Sequence, residues 1–150
     1  FLQPHPAIPD PLWSRGLGDV YKRQPCIFCS IQKNELIFEN SLAYASKDSY
    51  PVTKFHSLVV PKRCIKNYFE LNDKEILACD DLIKKLQQKI SLEDSTVKGF
   101  NVGTNSGKVA GQSIFHCHIH VIPRREGDVE NPQGGVRSVI PSKQHYIRKK

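Results

Sequence analysis

Three histidines, His116, His118 and His120, stand at alternate positions in Gly-Gln-Ser-Ile-Phe-His-Cys-His-Ile-His-Val-Ile-Pro-Arg, residues 111–124. Cys117, Ile119 and Val121 occupy the positions between and after them. Period-two alternation is the pattern of a half-buried strand. Alternate side chains on a strand share a face, which predicts three imidazoles on one side and the apolar set in a core. Imidazole can act as nucleophile, base or metal ligand near neutral pH. Three of the chain's six histidines on one face is more than packing calls for, so the stretch reads as a chemical site.

Two further stretches could do chemistry. Cys26-Ile27-Phe28-Cys29 places two thiols where they can turn onto one metal ion, half of a zinc site. The same spacing can be a redox pair, but that reading needs a thioredoxin-like context, which the chain lacks. Between Thr104 and Ser113 runs a loop containing Gly107 and Gly111. Its Gly107-Lys108 pair fails as a P-loop: the spacing from Gly103 is one residue short, and Val109 stands where Ser or Thr should hold magnesium. The loop reads instead as a phosphate cradle, with backbone amides, the Gln112 amide and the Ser113 hydroxyl as donors.

The histidine stretch resembles the histidine triad (HIT) motif. Two other stretches carry the resemblance further. Asp48 to Arg63, with Asp48, Pro51 and then His56-Ser-Leu-Val-Val-Pro-Lys, is similar to a second hallmark of that family, and Cys26 to Cys29 is similar to the start of its bacterial members. The resemblance covers residues 26–124. It implies an α+β fold, a mainly antiparallel sheet of about five strands with one long and one short helix. It also implies a homodimer joined through the long helix and a sheet edge.

The family consists of nucleotide hydrolases and transferases that act at the α-phosphate without a required catalytic metal. By resemblance, His118 is the nucleophile and forms a nucleotidyl intermediate, with its other ring nitrogen held by a backbone carbonyl. His120, Gln112 and Ser113 surround the phosphoryl oxygens. His56 supports the site, Asp48 binds ribose hydroxyls, and Asn101 lies near phosphate or sugar. The implied substrate is a purine nucleotide: a phosphoramidate, an adenylylated compound or a dinucleoside polyphosphate. The alternatives are a nucleotidyltransferase, or a nucleotide-binding regulator with incidental slow hydrolysis. Many zinc-binding members carry a His where this chain has Cys64. Cysteine also ligates zinc, so Cys26, Cys29, Cys64 and His116 form the expected structural zinc set.

The elements that position these residues are readable in outline. Ile37–Glu39 and Leu42–Ser46 read as short strands, Phe55–Pro61 as a buried strand, and Gly99–Gly103 as another. Asn72 with Glu75 three residues on is a helix start of the capping-box type. Ile76, Cys79, Ile83, Leu86 and Ile90 follow as one apolar stripe of about five turns.

A chain of 150 residues suits one domain. It lacks a run long and apolar enough for a membrane helix, and the five cysteines suit a reducing, cytoplasmic compartment. Residues 1–24 hold four of the ten prolines and show no sustained periodicity, so they read as a non-native or disordered leader. Residues 25–136 form the expected domain, and 137–150 a basic tail with five cationic residues and no acid. The net charge of +7 favours anionic ligands such as nucleotides. Signatures of specific nucleic-acid binding are absent.

Overall fold

The computed structural model describes residues 26–147; the expected leader lies outside the described residues. Five strands form one antiparallel sheet: β1 (Leu36–Glu39), β2 (Ala43–Lys47), β3 (Ser57–Pro61), β4 (Val97–Gly103) and β5 (Ile119–Arg125), in the order β1-β2-β3-β5-β4. One long helix, α1 (Asp73–Glu93), joins β3 to β4. In place of the expected second, short helix, the described residues carry single 3-10 turns, such as Lys33–Glu35.

Helix α1 starts where the capping pattern predicts. The Asn72 side chain accepts from the Glu75 N–H, and Glu75 accepts from the Asn72 N–H. Its buried stripe is Cys79, Leu82, Leu86 and Ile90. Leu82 takes the place expected for Ile83, which lies with Ile76 at the half-buried flank. The stripe packs on Ala43, Ala45, Val59, Ile119 and Val121, the inward-facing set of the three central strands. Glu75 is itself buried, and both its oxygens accept from Arg63 at 2.7 Å.

Strands β2 and β3 are buried on both faces. Away from the helix, Tyr44, Leu58 and Val60 are covered by Phe28, and the Tyr44 hydroxyl donates to the Phe28 carbonyl at 2.7 Å. The N-terminal Cys-x-x-Cys turn thus sits on the opposite sheet face from α1. That face also carries His120, which pairs with Leu58 on one side and Gly103 on the other.

The basic C-terminal tail carries local structure. Its described part forms two 3-10 turns, Val136–Val139 and Pro141–Lys143. Arg137 ties them together by donating to the Lys143 carbonyl at 3.0 Å.

Candidate active site and metal centre

The triad does not lie on one strand. β5 begins at Ile119, so only His120 of the three belongs to the sheet ladder. The preceding segment leaves the ladder because other partners hold it. The Cys117 N–H donates to the Ile65 carbonyl at 2.7 Å, and Thr104 Oγ1 donates to the His118 carbonyl at 2.7 Å. The alternation survives this departure. Cys117, Ile119 and Val121 are buried in the cores, and the imidazoles turn the other way, toward Phe28 and each other. Ring centroids lie 5.9 Å apart for Phe28–His116, 5.1 Å for Phe28–His118 and 5.2 Å for His118–His120.

His116 is fully buried. Its Nε2 is 2.8 Å from the Pro61 carbonyl, which can only accept, so Nε2 carries the proton and Nδ1 the lone pair. Nδ1 stands 3.2 Å from Cys26 Sγ and 3.6 Å from Cys29 Sγ. The ligating atoms of Cys26, Cys29, Cys64 and His116 all lie within 4.8 Å of one another. The donor set fits a tetrahedral soft or borderline cation, and the Pro61 carbonyl supplies the outer hydrogen bond that a ligating histidine requires. Desolvation, then hydrogen bonds with Cys64 and Cys26, push the Cys29 thiol up to about 12. The sequence-expected set therefore comes together, including Cys64.

His118 is nearly buried, and its Nδ1 lies 2.8 Å from the His116 carbonyl. A carbonyl accepts, so the proton is on Nδ1 and Nε2 presents a lone pair. This is the tautomer a nucleophile needs.

His56 is aimed by a tight turn. Phe55 just before it has φ of +70°, a conformation rare outside glycine, and the His56 N–H donates to the Thr53 carbonyl at 3.0 Å. The Val52 N–H donates to His56 Nδ1 at 3.2 Å, which places the His56 proton on Nε2. That atom is 3.0 Å from His120 Nδ1 and 3.4 Å from Asp48 Oδ2. His120 Nδ1 therefore accepts, and its Nε2–H is left for a ligand. Asp48 Oδ2 is 3.7 Å from His120 Nδ1, while Oδ1 accepts from the Tyr50 N–H at 2.7 Å. Burial lowers the His56 pKa, with Asp48 acting against it. His120 is lowered by burial, then by His118 and His56. Burial thus disfavours the charged form of both rings, with Asp48 opposing it.

The remaining expected residues divide. Gln112 is buried, and its amide donates to the carbonyls of Lys66 and Ile114, while its oxygen accepts from the Gly107 N–H at 2.8 Å. Both expected phosphate donors on Gln112 are thus committed to holding the loop. Ser113 is exposed at the loop's end. Asn101 Oδ1 accepts from Arg124 at 2.7 Å. It lines a groove with His56 and His120, away from Asp48's cavity.

Two cavities flank this cluster. One, of about 550 Å³, is walled by Ile27, Phe28, Ile31, Leu36 and Leu58, with Asp48 on its lining. The other, of about 570 Å³, includes His56, His120 and Asn101. Phe28 and Thr104 were missed in the sequence, as were the backbone of Val52 and the Pro61 carbonyl. Phe28 lay inside the Cys-x-x-Cys stretch as an unassigned aromatic. The others act through backbone geometry or a lone hydroxyl, which leave no pattern.

Similarity to known proteins agrees with this geometry. The HIT domain profile matches residues 31–127. An uncharacterized HIT-like protein of Methanocaldococcus jannaschii is 37% identical over 110 residues, covering 70% of this chain and 83% of that protein. An adenosine 5′-monophosphoramidase of Schizosaccharomyces pombe is 35% identical over 103 residues, covering 66% of this chain and 74% of that one. The crystal structure of a Zn-bound histidine triad family protein from Mycobacterium smegmatis superposes with a TM-score of 0.64 at 28% identity, over 71% of this chain and 79% of that one. With its sheet, its triad segment and its flanking cysteines all in place, the chain belongs to the HIT family.

Proposed function

We propose that the protein is a nucleotide hydrolase that acts at the α-phosphate of a purine nucleotide through a covalent nucleotidyl-His118 intermediate. The observation that carries this reading is the 2.8 Å contact from His118 Nδ1 to the His116 carbonyl, which leaves Nε2 as the nucleophilic lone pair. The monophosphoramidase relatives support the substrate class.

The residues divide the work as follows. The cavity walled by Ile27, Phe28 and Ile31 takes the base, and Asp48 accepts from the ribose hydroxyls. Ser113 and the amides of its loop donate to the phosphoryl oxygens, where charge develops in the transition state. Gln112 serves this function by holding the loop in shape. In the first half-reaction, Nε2 of His118 bonds to phosphorus and the bond from phosphorus to the leaving group breaks. The His56–His120 pair, beside Asp48, takes up one proton with the anionic substrate. It releases that proton through Nε2 of His120 to the departing group. In the second half, water attacks phosphorus, the N–P bond breaks, and the pair recovers a proton from the water.

Zinc is the metal we assign to Cys26, Cys29, Cys64 and His116. When bound, it supplies structural cross-linking and no reaction step. We also assign a homodimer, with the outer edge of β4 and the exposed side of α1 as its contacts.

Turnover of adenosine and guanosine phosphoramidates by the purified protein, set beside His118→Ala, tests the reading. Turnover lost in the variant while nucleotide binding persists supports an enzyme. Equal slow rates in both proteins would leave a nucleotide-binding regulator.

A further inference from the structure

The cavity beside Phe28 is not purely apolar. Its floor belongs to a row of Cα partners that crosses the sheet: Leu36 on β1, Ser46 on β2, Leu58 on β3 and His120 on β5. Residues directly opposite one another share a face, so the row leads from His120 to the far wall of the cavity, whose volume is about 550 Å³. Ser46 stands two strands from His120, about 10 Å at the ordinary strand spacing. Asp48 follows two residues on, beside His56. A ribose held by Asp48 therefore sets its base over Ser46.

Ser46 puts a hydroxyl into this floor. The residue is only 3% exposed, and its Oγ has no hydrogen-bond partner among the described residues. Every fully enclosed side-chain nitrogen or oxygen of those residues does have one. The Ser46 Oγ must therefore open onto the cavity.

Glu35 puts a carboxylate at the rim. Its Oε2 accepts from the Gln32 N–H at 3.1 Å, which closes the capping box of the Lys33–Glu35 turn and fixes the group in place. Among the described residues no lysine or arginine pairs with it, and Oε1 has no partner. Its charge is felt on the cavity face: after burial, Cys26 and Cys29, it helps push the Tyr44 phenol up. Apart from Asp48, the other polar lining residues, Asn34, Lys47 and Ser49, are exposed.

An ionised carboxylate only accepts. The Watson–Crick edge of guanine offers it two adjacent donors, N1–H and the 2-amino group. Adenine offers one, the 6-amino group, and turns its N1 lone pair toward the second oxygen. Hydrogen bonds to a charged group are the stronger class, so the second bond decides between the purines.

We infer that Glu35 makes this cavity select guanine over adenine, so that the substrates are guanosine nucleotides, with Ser46 as a base contact that both purines share. This rests on the reading above that places the base in this cavity.

The test is calorimetry on the whole chain with GMP, IMP, 1-methyl-GMP and AMP, which needs no turnover. GMP should bind at least ~10-fold tighter than AMP, the range for a hydrogen bond to a charged group. IMP, which lacks the 2-amino group, should fall between them. The 1-methyl compound, which lacks the N1 proton, should lose most of the advantage. Glu35→Gln keeps an acceptor for the Gln32 N–H and adds a donor suited to adenine N1, so it should shift the ratio of affinities toward AMP by ~10-fold. Ser46→Ala should weaken GMP and AMP by the same factor; unchanged binding of both removes Ser46 from the site. AMP binding as tightly as GMP, equal binding of GMP and 1-methyl-GMP, or an unchanged ratio in Glu35→Gln overturns the selection. The 1-methyl comparison uses the wild-type protein and so does not depend on a variant folding. Guanine-selective binding without turnover would sink the hydrolase reading and leave this one standing. Turnover of adenosine and guanosine phosphoramidates with equal affinity for AMP and GMP would do the reverse.

Discussion

The carbonyl of His116 holds Nδ1 of His118 at 2.8 Å, while the ring of the same His116 stands 3.2 Å from Cys26 Sγ. One residue therefore belongs to two sites. Its side chain is a member of the cysteine cluster, and its backbone sets the tautomer of the neighbouring imidazole. A metal held by the cluster would fix His116 and, through the main chain, the orientation of His118 without approaching a substrate.

The first prediction concerns that metal. Protein purified without added metal should contain about one zinc per chain by elemental analysis. A ligand that binds only the folded state adds its binding free energy to stability. Chelation should thus lower the thermal midpoint by more than it lowers the initial rate at moderate temperature. Cys64→Ser should reproduce the loss of both metal and midpoint. Metal-free protein whose midpoint is unaffected by Cys64→Ser would reduce the cluster to a set of unligated thiols.

A second prediction separates the two roles open to Asp48. If its carboxylate accepts from the ribose hydroxyls, Asp48→Asn weakens binding of a ribonucleotide by roughly 10-fold or more, the range for hydrogen bonds to a charged group. A 2′,3′-dideoxynucleotide should then bind the two proteins alike. Calorimetry with both nucleotides is the measurement. An equal loss for both would mean that Asp48 acts through His56 and His120, which lie 3.4 and 3.7 Å from its Oδ2.

A third prediction concerns acid. Arg63 donates to both oxygens of Glu75, whose carboxyl is held down to about 2, first by the Arg63 hydrogen bonds. The ordinary value for this group is 4.5. A carboxyl lowered on folding stabilises fully above the unfolded value, and that contribution is lost as pH falls toward the folded value. The Glu75 contribution should therefore disappear between about pH 4.5 and pH 2. Denaturant midpoints should fall less steeply across that window in Glu75→Gln than in wild type. Parallel curves would show that the pair contributes nothing to acid sensitivity.

Much of the site was legible because its chemistry is carried by rare side chains at fixed spacing. His116, His118 and His120 alternate, and the alternation sorted rings from core correctly. It could not reveal that the ladder begins at Ile119, because the bonds that pull residues 116–118 aside come from Ile65, Pro61 and Thr104, distant in sequence. The Asn72–Glu75 cap was legible because both partners are local. The burial of Glu75 was not, since it depends on Arg63 crossing from the end of β3. Gln112 was read as a phosphate donor because an amide beside glycines suits that use. In the folded loop its donors are already taken by the Lys66 and Ile114 carbonyls. The 3-10 turn at Val136–Val139 was illegible, because the segment meets the sheet through Gly135 on Asn101, distant in sequence.

The central claim is that His118 is the nucleophile. Removing a covalent nucleophile lowers the rate by several orders of magnitude, so His118→Ala should lose turnover while retaining nucleotide binding. The most direct measurement is peptide mapping by mass spectrometry of wild-type protein quenched during turnover of an adenosine phosphoramidate. The account predicts an added nucleoside monophosphate on His118 and on no other residue. An adduct on His56 or His120, or unmodified protein throughout a single turnover that yields product, would contradict it.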